Sequence, residues 1–244
     1  MEAMSIPTDE VTVPHRVRDL ARGAALVPVW RNELGGVTFR TDDGRSIKHG
    51  PSNAETSMAR EADRLRWAGR FTPVPDVLDE GTDGTDEWLV TRALPGLSAV
   101  DPRWREEPAA AVAAVGAGLR AFHDSLPVAE CPYDWGVPAR LANAFARGIR
   151  VPDALRTPPA VDRLVVCHGD ACCPNTLLDD DGAPLAHVDL GALGIGDRWA
   201  DIAVAAMSTE WNYGPGWEDA LMAAYGVSPD HDRLAYYREL WNAT

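Results

Sequence analysis

The chain has 244 residues, 45% of them hydrophobic and 25% charged, which is enough apolar content for a sizeable core and excludes a disordered or fibrous protein. With 23 basic against 37 acidic residues its formal net charge is −14, which argues against a nucleic-acid partner and suits a cationic ligand, although acidity also serves solubility. No apolar run approaches a membrane span, and residues 1 to 12 carry acids where a signal peptide would be basic and then apolar, so a cytoplasmic location without membrane attachment is expected.

In chain order, Trp30 to Arg40 reads as two β segments joined by a turn at Gly35 and Gly36, and a second turn at Asp42 to Arg45 leads into a strand ending near Ile47 and Lys48. Adjacent glycines let backbone N–H groups approach phosphates, and a tight β-turn explains them equally well. A helix is predicted from about Asn53 to Ala68, with Met58, Ala62, Leu65 and Trp67 as its apolar positions. After a Pro-rich turn at Thr72 to Pro75, Val74 to Leu78 and Glu87 to Thr91 read as an antiparallel pair across a turn at Gly81 to Asp86. Arg92 to Gly96 then breaks the pattern. Glu107 to His123 is an Ala-rich helical segment with Val112, Val115, Leu119 and Phe122 on one face, and a second helix is expected over Leu141 to Ile149. The stretch from Gly148 to Arg156 is short and mostly basic, with Asp153 as its acid.

The most informative text is Cys167-His168-Gly169-Asp170-Ala171-Cys172-Cys173-Pro174-Asn175, followed by His187-Val188-Asp189-Leu190-Gly191. An H-x-D-x-x-x-x-N loop supplies one carboxylate beside an attacking hydroxyl and one amide for a metal, and a second acid after a short hairpin completes a Mg²⁺ clamp on phosphates. Asp170, Asn175 and Asp189 fill these places in order, and apolar runs at Leu164 to Cys167 and Leu177 to Leu178 put the acids at the ends of short strands. Ordinary turn acids beside glycine are the alternative, against which the offset of Asn175 and the Asp-Leu-Gly after a hairpin weigh heavily. Four cysteines (Cys131, Cys167, Cys172, Cys173) lack redox or zinc spacing and are expected as free thiols, with Cys172 and Cys173 packing the loop.

Further stretches extend the pattern: Glu61 to Trp67, Trp88 to Gly96, Leu119 to His123, Cys131 to Trp135 and Asp197 to Ala203. With them, the chain from about Asn32 to Tyr237 resembles the aminoglycoside phosphotransferase family, on the branch that modifies the 3′-hydroxyl of kanamycin-like compounds. The resemblance implies an α+β, two-lobed, protein-kinase-like fold. Its small β-rich N-lobe would span residues 1–92, its hinge 93–97 and its larger, mainly helical C-lobe 98–244. It implies ATP, with GTP open, and Mg²⁺ held by Asn175 and Asp189, with Asp170 as the catalytic carboxylate and with Gly35 and Gly36 covering the nucleotide. Lys48 stands where the family presents its ATP lysine, and it is the only lysine among 23 basic residues, where a surface role would tolerate Arg. Its expected partner is Glu61, with Glu55 as the rival, and the adenine is expected beside Arg92 and Ala93. Asp201 reads as a buried acid that supports the catalytic loop through backbone bonds.

The acceptor side departs from the family. Several acids usually follow the second helix, whereas this chain has Asp153 alone; Ala192 stands where Arg is common; and Glu239 to Thr244 has Asn in place of an expected acid. The remaining acceptor candidates are Glu210 and Trp211, with Tyr213, Trp217, Glu218 and Asp219, in a segment expected to run from loop to helix after Asp201. Three functions stay open: an antibiotic kinase acting on an aminoglycoside, a kinase of another small hydroxylated metabolite or cationic peptide antibiotic, and a nucleotide-binding pseudoenzyme. The set Lys48, Glu61, Asp170, Asn175 and Asp189 counts against the third. A monomer or weak dimer is expected.

Overall fold

The computed structural model describes residues 7, 9–32, 34–53 and 57–244. It divides into two compact units, one of residues 1–70 and 74–94, the other of 71–73 and 95–244.

The first unit is a five-stranded antiparallel sheet in the order β1-β2-β3-β5-β4, made of β1 (Leu26–Arg31), β2 (Val37–Thr41), β3 (Arg45–Pro51), β4 (Val77–Thr82) and β5 (Asp86–Arg92). Alternation along β3 separates two tasks. Ile47 is fully buried with Phe39 and Val90 against Val17 and Ala21 of helix α1 (His15–Ala21), while its neighbour Lys48 points to the other face. On that face lies α2 (Met58–Ala68), which buries Ala62 and Leu65. The expected helix start near Asn53 is too early. Ser57 is the N-cap, its hydroxyl accepting from the Arg60 N–H, and the Glu87 carboxylate accepts from the Met58 N–H at 2.7 Å. The strand expected over Val74 to Leu78 is also displaced. Pro73 and Pro75 cannot supply ladder N–H groups, and pairing with β5 begins at Val77 and takes in Gly81 and Thr82. Gly81 is a packing site instead of part of the turn, since a Cβ there would stand 2.4 Å from the Trp88 ring.

The second unit is mainly helical. It opens with the short strand β6 (Leu97–Ser98), helix α3 (Pro102–Arg105) and the long α4 (Pro108–Ser125), whose Val112, Val115 and Leu119 enter the main core as the periodicity predicts. Helix α5 covers Val137–Ala146 and not Leu141 to Ile149. Pro138 in its first turn and an Asp134 carboxylate that accepts from Gly136 N–H at 2.7 Å fix the earlier start, and left-handed Gly148 (φ 75°) reverses the chain after it. Strands β7 (Leu164–Cys167) and β10 (Gly194–Asp197) form one antiparallel pair. Strands β8 (Thr176–Leu178) and β9 (Pro184–His187) form the expected hairpin, extended by β6 into a three-stranded sheet. Helices α6 (Trp199–Tyr213), α7 (Glu218–Tyr225) and α8 (His231–Ala243) complete the unit, with α6 buried along most of its length. Among the described residues no helix is long and apolar enough to cross a membrane.

Candidate active site

In the first unit, Lys48 and Glu61 meet as the sequence suggested. The Lys48 ammonium donates to both carboxylate oxygens, at 2.9 and 2.7 Å, and Glu61 is only 7% exposed. A strand side chain and a helix side chain are thus fixed against each other with the amine still partly accessible. The rival partner, Glu55, lies outside the described residues. Gly35 has φ 84° and sits in a turn closed around Asn32, whose amide oxygen accepts from the Leu34 and Gly36 N–H groups at 3.1 and 2.7 Å. A Cβ on Gly36 would stand 2.8 Å from the Asn32 amide nitrogen, and Gly50 of β3 packs on the same turn, where its own Cβ would stand 2.7 Å from the Gly36 Cα. At the expected hinge, the Arg92 N–H donates to the Asp76 carbonyl and the Ala93 N–H to the Gly44 carbonyl. These two amides therefore anchor the sheet.

The second unit holds the acidic loop. Its entry is governed by Gly169, with φ 85° and a Cα pressed so closely on Ala192 that a Cβ would stand 2.3 Å from the Ala192 carbonyl oxygen. The Asp201 carboxylate, fully buried at the start of α6, accepts from the backbone N–H groups of His168 and Gly169 at 2.5 and 2.9 Å, matching the expected structural acid. Burial acts to raise its pKa, but the His123 hydrogen bond and the Gly169 amide outweigh it and hold the carboxyl below the usual range. His168 Nε2 faces the Val188 carbonyl at 3.0 Å and its Nδ1 accepts from the Asp170 N–H at 3.3 Å, so the neutral ring carries its proton on Nε2.

Asp170 and Asn175 are joined directly. The Asn175 amide nitrogen donates to the Asp170 carbonyl at 2.9 Å and to its Oδ2 at 3.1 Å, while Asp170 Oδ1 is shut off from water without a protein partner. Burial first, and then the charge of Asp189, push the Asp170 pKa up; the Cys172 thiol, His168 and Asn175 act in the opposite direction. The Val188 N–H donates to the Asn175 carbonyl at 3.0 Å, which ties the residue before Asp189 to the same loop. Asp189 itself adopts φ 63°, an uncommon conformation for a side-chain-bearing residue. No group of three or more His, Cys, Asp or Glu suited to a metal is present among the described residues. Hard oxygen ligands are nonetheless at hand: the Asn175 amide turns its nitrogen to Asp170, which frees the amide oxygen, and Asp189 adds a carboxylate.

The acceptor candidates are dispersed. Glu210 and Trp211 lie on the last turn of α6, not in a loop, with Trp211 57% exposed. Asp153 is exposed in a 3₁₀ turn (Asp153–Arg156) and pairs with Arg156 at 2.9 Å. Tyr213 donates to the Ala99 carbonyl, Trp217 packs on the core, and Glu218 pairs with Arg238, so these three have structural work. Asp219 is exposed. The departure at Ala192 is explained locally, since its backbone and Cβ form the wall against Gly169. Cys172 and Cys173 are buried free thiols, and burial pushes both pKa values up, that of Cys173 to about 12, which rules out a standing thiolate.

Three supports escaped sequence reading. His123 bridges the Tyr225 hydroxyl (2.8 Å) and Asp201 (2.9 Å). Ser208 accepts from the Cys173 N–H at 2.8 Å and so holds the loop to α6. His187 packs tilted against the Phe122 ring and edge-on to His168, and burial pushes its pKa down to about 3. His123 ends a quoted motif and had one usable signal, a polar residue following an apolar helical face; Ser208 had none.

A β-rich unit with a lysine–glutamate pair and a helical unit with two loop acids and an amide define a phosphotransferase of the protein-kinase-like class. Residues 37–237 match the model of the phosphotransferase enzyme family, and the chain belongs to that family. It is 39% identical over 219 residues to an aminoglycoside 3′-phosphotransferase from Streptomyces fradiae, covering 78% of this chain and 81% of the relative. It is 33% identical over 251 residues to a streptomycin 3″-kinase from Streptomyces griseus, covering 89% and 92%. Among solved structures, an aminoglycoside 3′-phosphotransferase of type VIII superposes with a TM-score of 0.72 at 29% identity, covering 95% of this chain and 100% of the other. An aminoglycoside phosphotransferase from Streptomyces rimosus, in complex with ADP and streptomycin, superposes with a TM-score of 0.68 at 26% identity, covering 92% and 94%.

Proposed function

We propose that this enzyme transfers the γ-phosphoryl group of ATP to a hydroxyl of an aminoglycoside-type antibiotic. The observation that carries the reading is the Asp170–Asn175 pair, in which the Asn175 amide holds one Asp170 carboxylate oxygen and so orients the carboxyl within the loop, as positioning of an acceptor hydroxyl requires. In this reading Asp170 orients the acceptor hydroxyl and receives its proton as the oxygen bonds to phosphorus and the bond to ADP breaks. Because such transition states are loose, positioning outweighs proton removal. Lys48, steadied by Glu61, engages the nucleotide phosphates. Asn175 and Asp189 are the residues suited to Mg²⁺, which when bound would neutralise charge on the phosphates. Trp211 and Glu210 offer a ring and a carboxylate to an aminated sugar. ATP supply puts the enzyme in the cytoplasm.

A second reading, phosphorylation of another small hydroxylated compound, is favoured by the basic 148–156 stretch, whose single acid is engaged by Arg156. The deciding experiment is Mg-ATP-dependent ADP release by the purified protein against a panel of aminoglycosides, cationic peptide antibiotics and simple amino alcohols, beside an Asp170→Ala control. Drug-dependent turnover that disappears in the control supports the first reading. Turnover only with a non-aminoglycoside would replace it.

A further inference from the structure

We infer that the groove between the end of α5 and the 3₁₀ turn at Asp153–Arg156 binds a small amphiphilic anion, with an apolar body and a carboxylate or sulfonate head. The groove is a cavity of about 500 Å³ with an apolar surface from Leu141, Phe145, Ile149 and Val151 and a charged surface from Arg150 and Arg156. It adjoins a second cavity of about 320 Å³ that shares both arginines and adds Asp153.

Charge identifies the occupant. No acid lines the larger cavity, and the one acid of the smaller is paired with Arg156 at 2.9 Å, so Arg150 gives the groove an excess positive charge on a chain of net charge −14. Arg150 pairs with no carboxylate among the described residues. Beside it Phe145 is 82% exposed, the most open of the large hydrophobic side chains among the described residues, although the opposite face of α5 is packed through Val137 and Ala144. A cation would meet repulsion here, and a neutral apolar molecule would gain nothing from the exposed Arg150 charge.

The walls are built to hold their shape. The Gly148 reversal after α5 brings the Ile149 N–H to the Ala144 carbonyl at 2.9 Å, which folds Ile149 back onto the helix and sets Arg150 beyond Phe145. Opposite, the Tyr236 hydroxyl donates to the Leu155 carbonyl at 2.7 Å, and Val151 and Leu155 are buried in the main core. The backbone around the groove is therefore fixed, and binding orders chiefly the exposed Phe145 and Arg150 side chains, which suits a small ligand.

The test is fluorescence titration of the full chain with anilinonaphthalene sulfonate and with its uncharged relative phenylnaphthylamine. Saturable binding of the sulfonate is expected, weakened roughly tenfold in both Arg150→Glu and Phe145→Ala, with the uncharged probe at least about tenfold weaker on the wild type. Both side chains are exposed, so unchanged melting temperatures will show that the variants are folded. Equal affinity for the two probes, an unchanged sulfonate affinity in either variant, or no sulfonate binding would each overturn the assignment.

Discussion

Nε2 of His123, on α4, lies 2.9 Å from Oδ2 of Asp201, on α6, and neither side chain reaches solvent. The same carboxylate receives the His168 and Gly169 amides, so two helices and the acidic loop share one buried anchor. Removing it strands three donors. Asp201→Ala is expected to cost about 3–5 kcal/mol, the usual penalty for breaking a buried charged network, and to speed hydrogen exchange at His168 and Gly169. His123→Ala should cost less, because the backbone amides keep their acceptor. Denaturant titration of both variants checks the order.

The raised pKa of Asp170 makes it a liability to the folded state. A carboxyl whose folded pKa exceeds its unfolded value destabilises the protein at every pH where the unfolded group is ionised, and the cost fades in acid. Asp170→Asn should therefore raise the melting temperature at neutral pH, by roughly 2–4 °C per kcal/mol relieved, while abolishing turnover. Calorimetry of the ligand-free protein at pH 7 and pH 4 tests it, with the gain expected at pH 7 and diminished at pH 4.

Lys48 contributes to nucleotide affinity in the proposed function, and its amine is fixed by a glutamate that is only 7% exposed. Lys48→Met is expected to weaken nucleotide binding by about 10–100-fold. Lys48→Arg should not restore it, since a planar guanidinium cannot replace a compact ammonium between a carboxylate and phosphates. Isothermal titration with a non-hydrolysable ATP analogue distinguishes the outcomes.

Buried His187 must remain neutral in the folded protein, with its pKa pushed down to about 3 from an ordinary 6.5. Stability is thus complete above about pH 6.5 and is lost as the unfolded chain takes up a proton that the folded chain refuses, down to about pH 3. His187→Phe should flatten the fall in denaturation midpoint across that window. An unchanged slope would show that other groups govern acid sensitivity.

Gly169 combines φ 85° with a wall 2.3 Å from any added Cβ. Gly169→Ala should destabilise by on the order of 2–4 kcal/mol and eliminate activity, because relief requires the chain between His168 and Asp170 to move. Thermal melts and single-turnover assays are the measurements.

The sequence by itself determined the hairpin after Asn175 and the apolar faces of α2 and α4, through local signals: a period of 3.6 and turn residues at fixed spacing. The two-lobe division and the choice of Glu61 over Glu55 for Lys48 came from the family resemblance. Element ends were less legible. Ser57 and Gly148 decided where α2 starts and where the chain turns after α5, and Pro73 and Pro75 displaced β4, through hydrogen bonds that depend on partners elsewhere in the chain. Only the tertiary structure decided that His123 and Ser208 brace the loop, that Ala192 walls Gly169, that Trp211 is exposed on a helix end, and that Arg150 and Phe145 share a groove. The physical reason is range: spacing and propensity act over a few residues, whereas burial, an orphaned oxygen on Asp170 and a charge without a counterpart arise only when distant segments pack together.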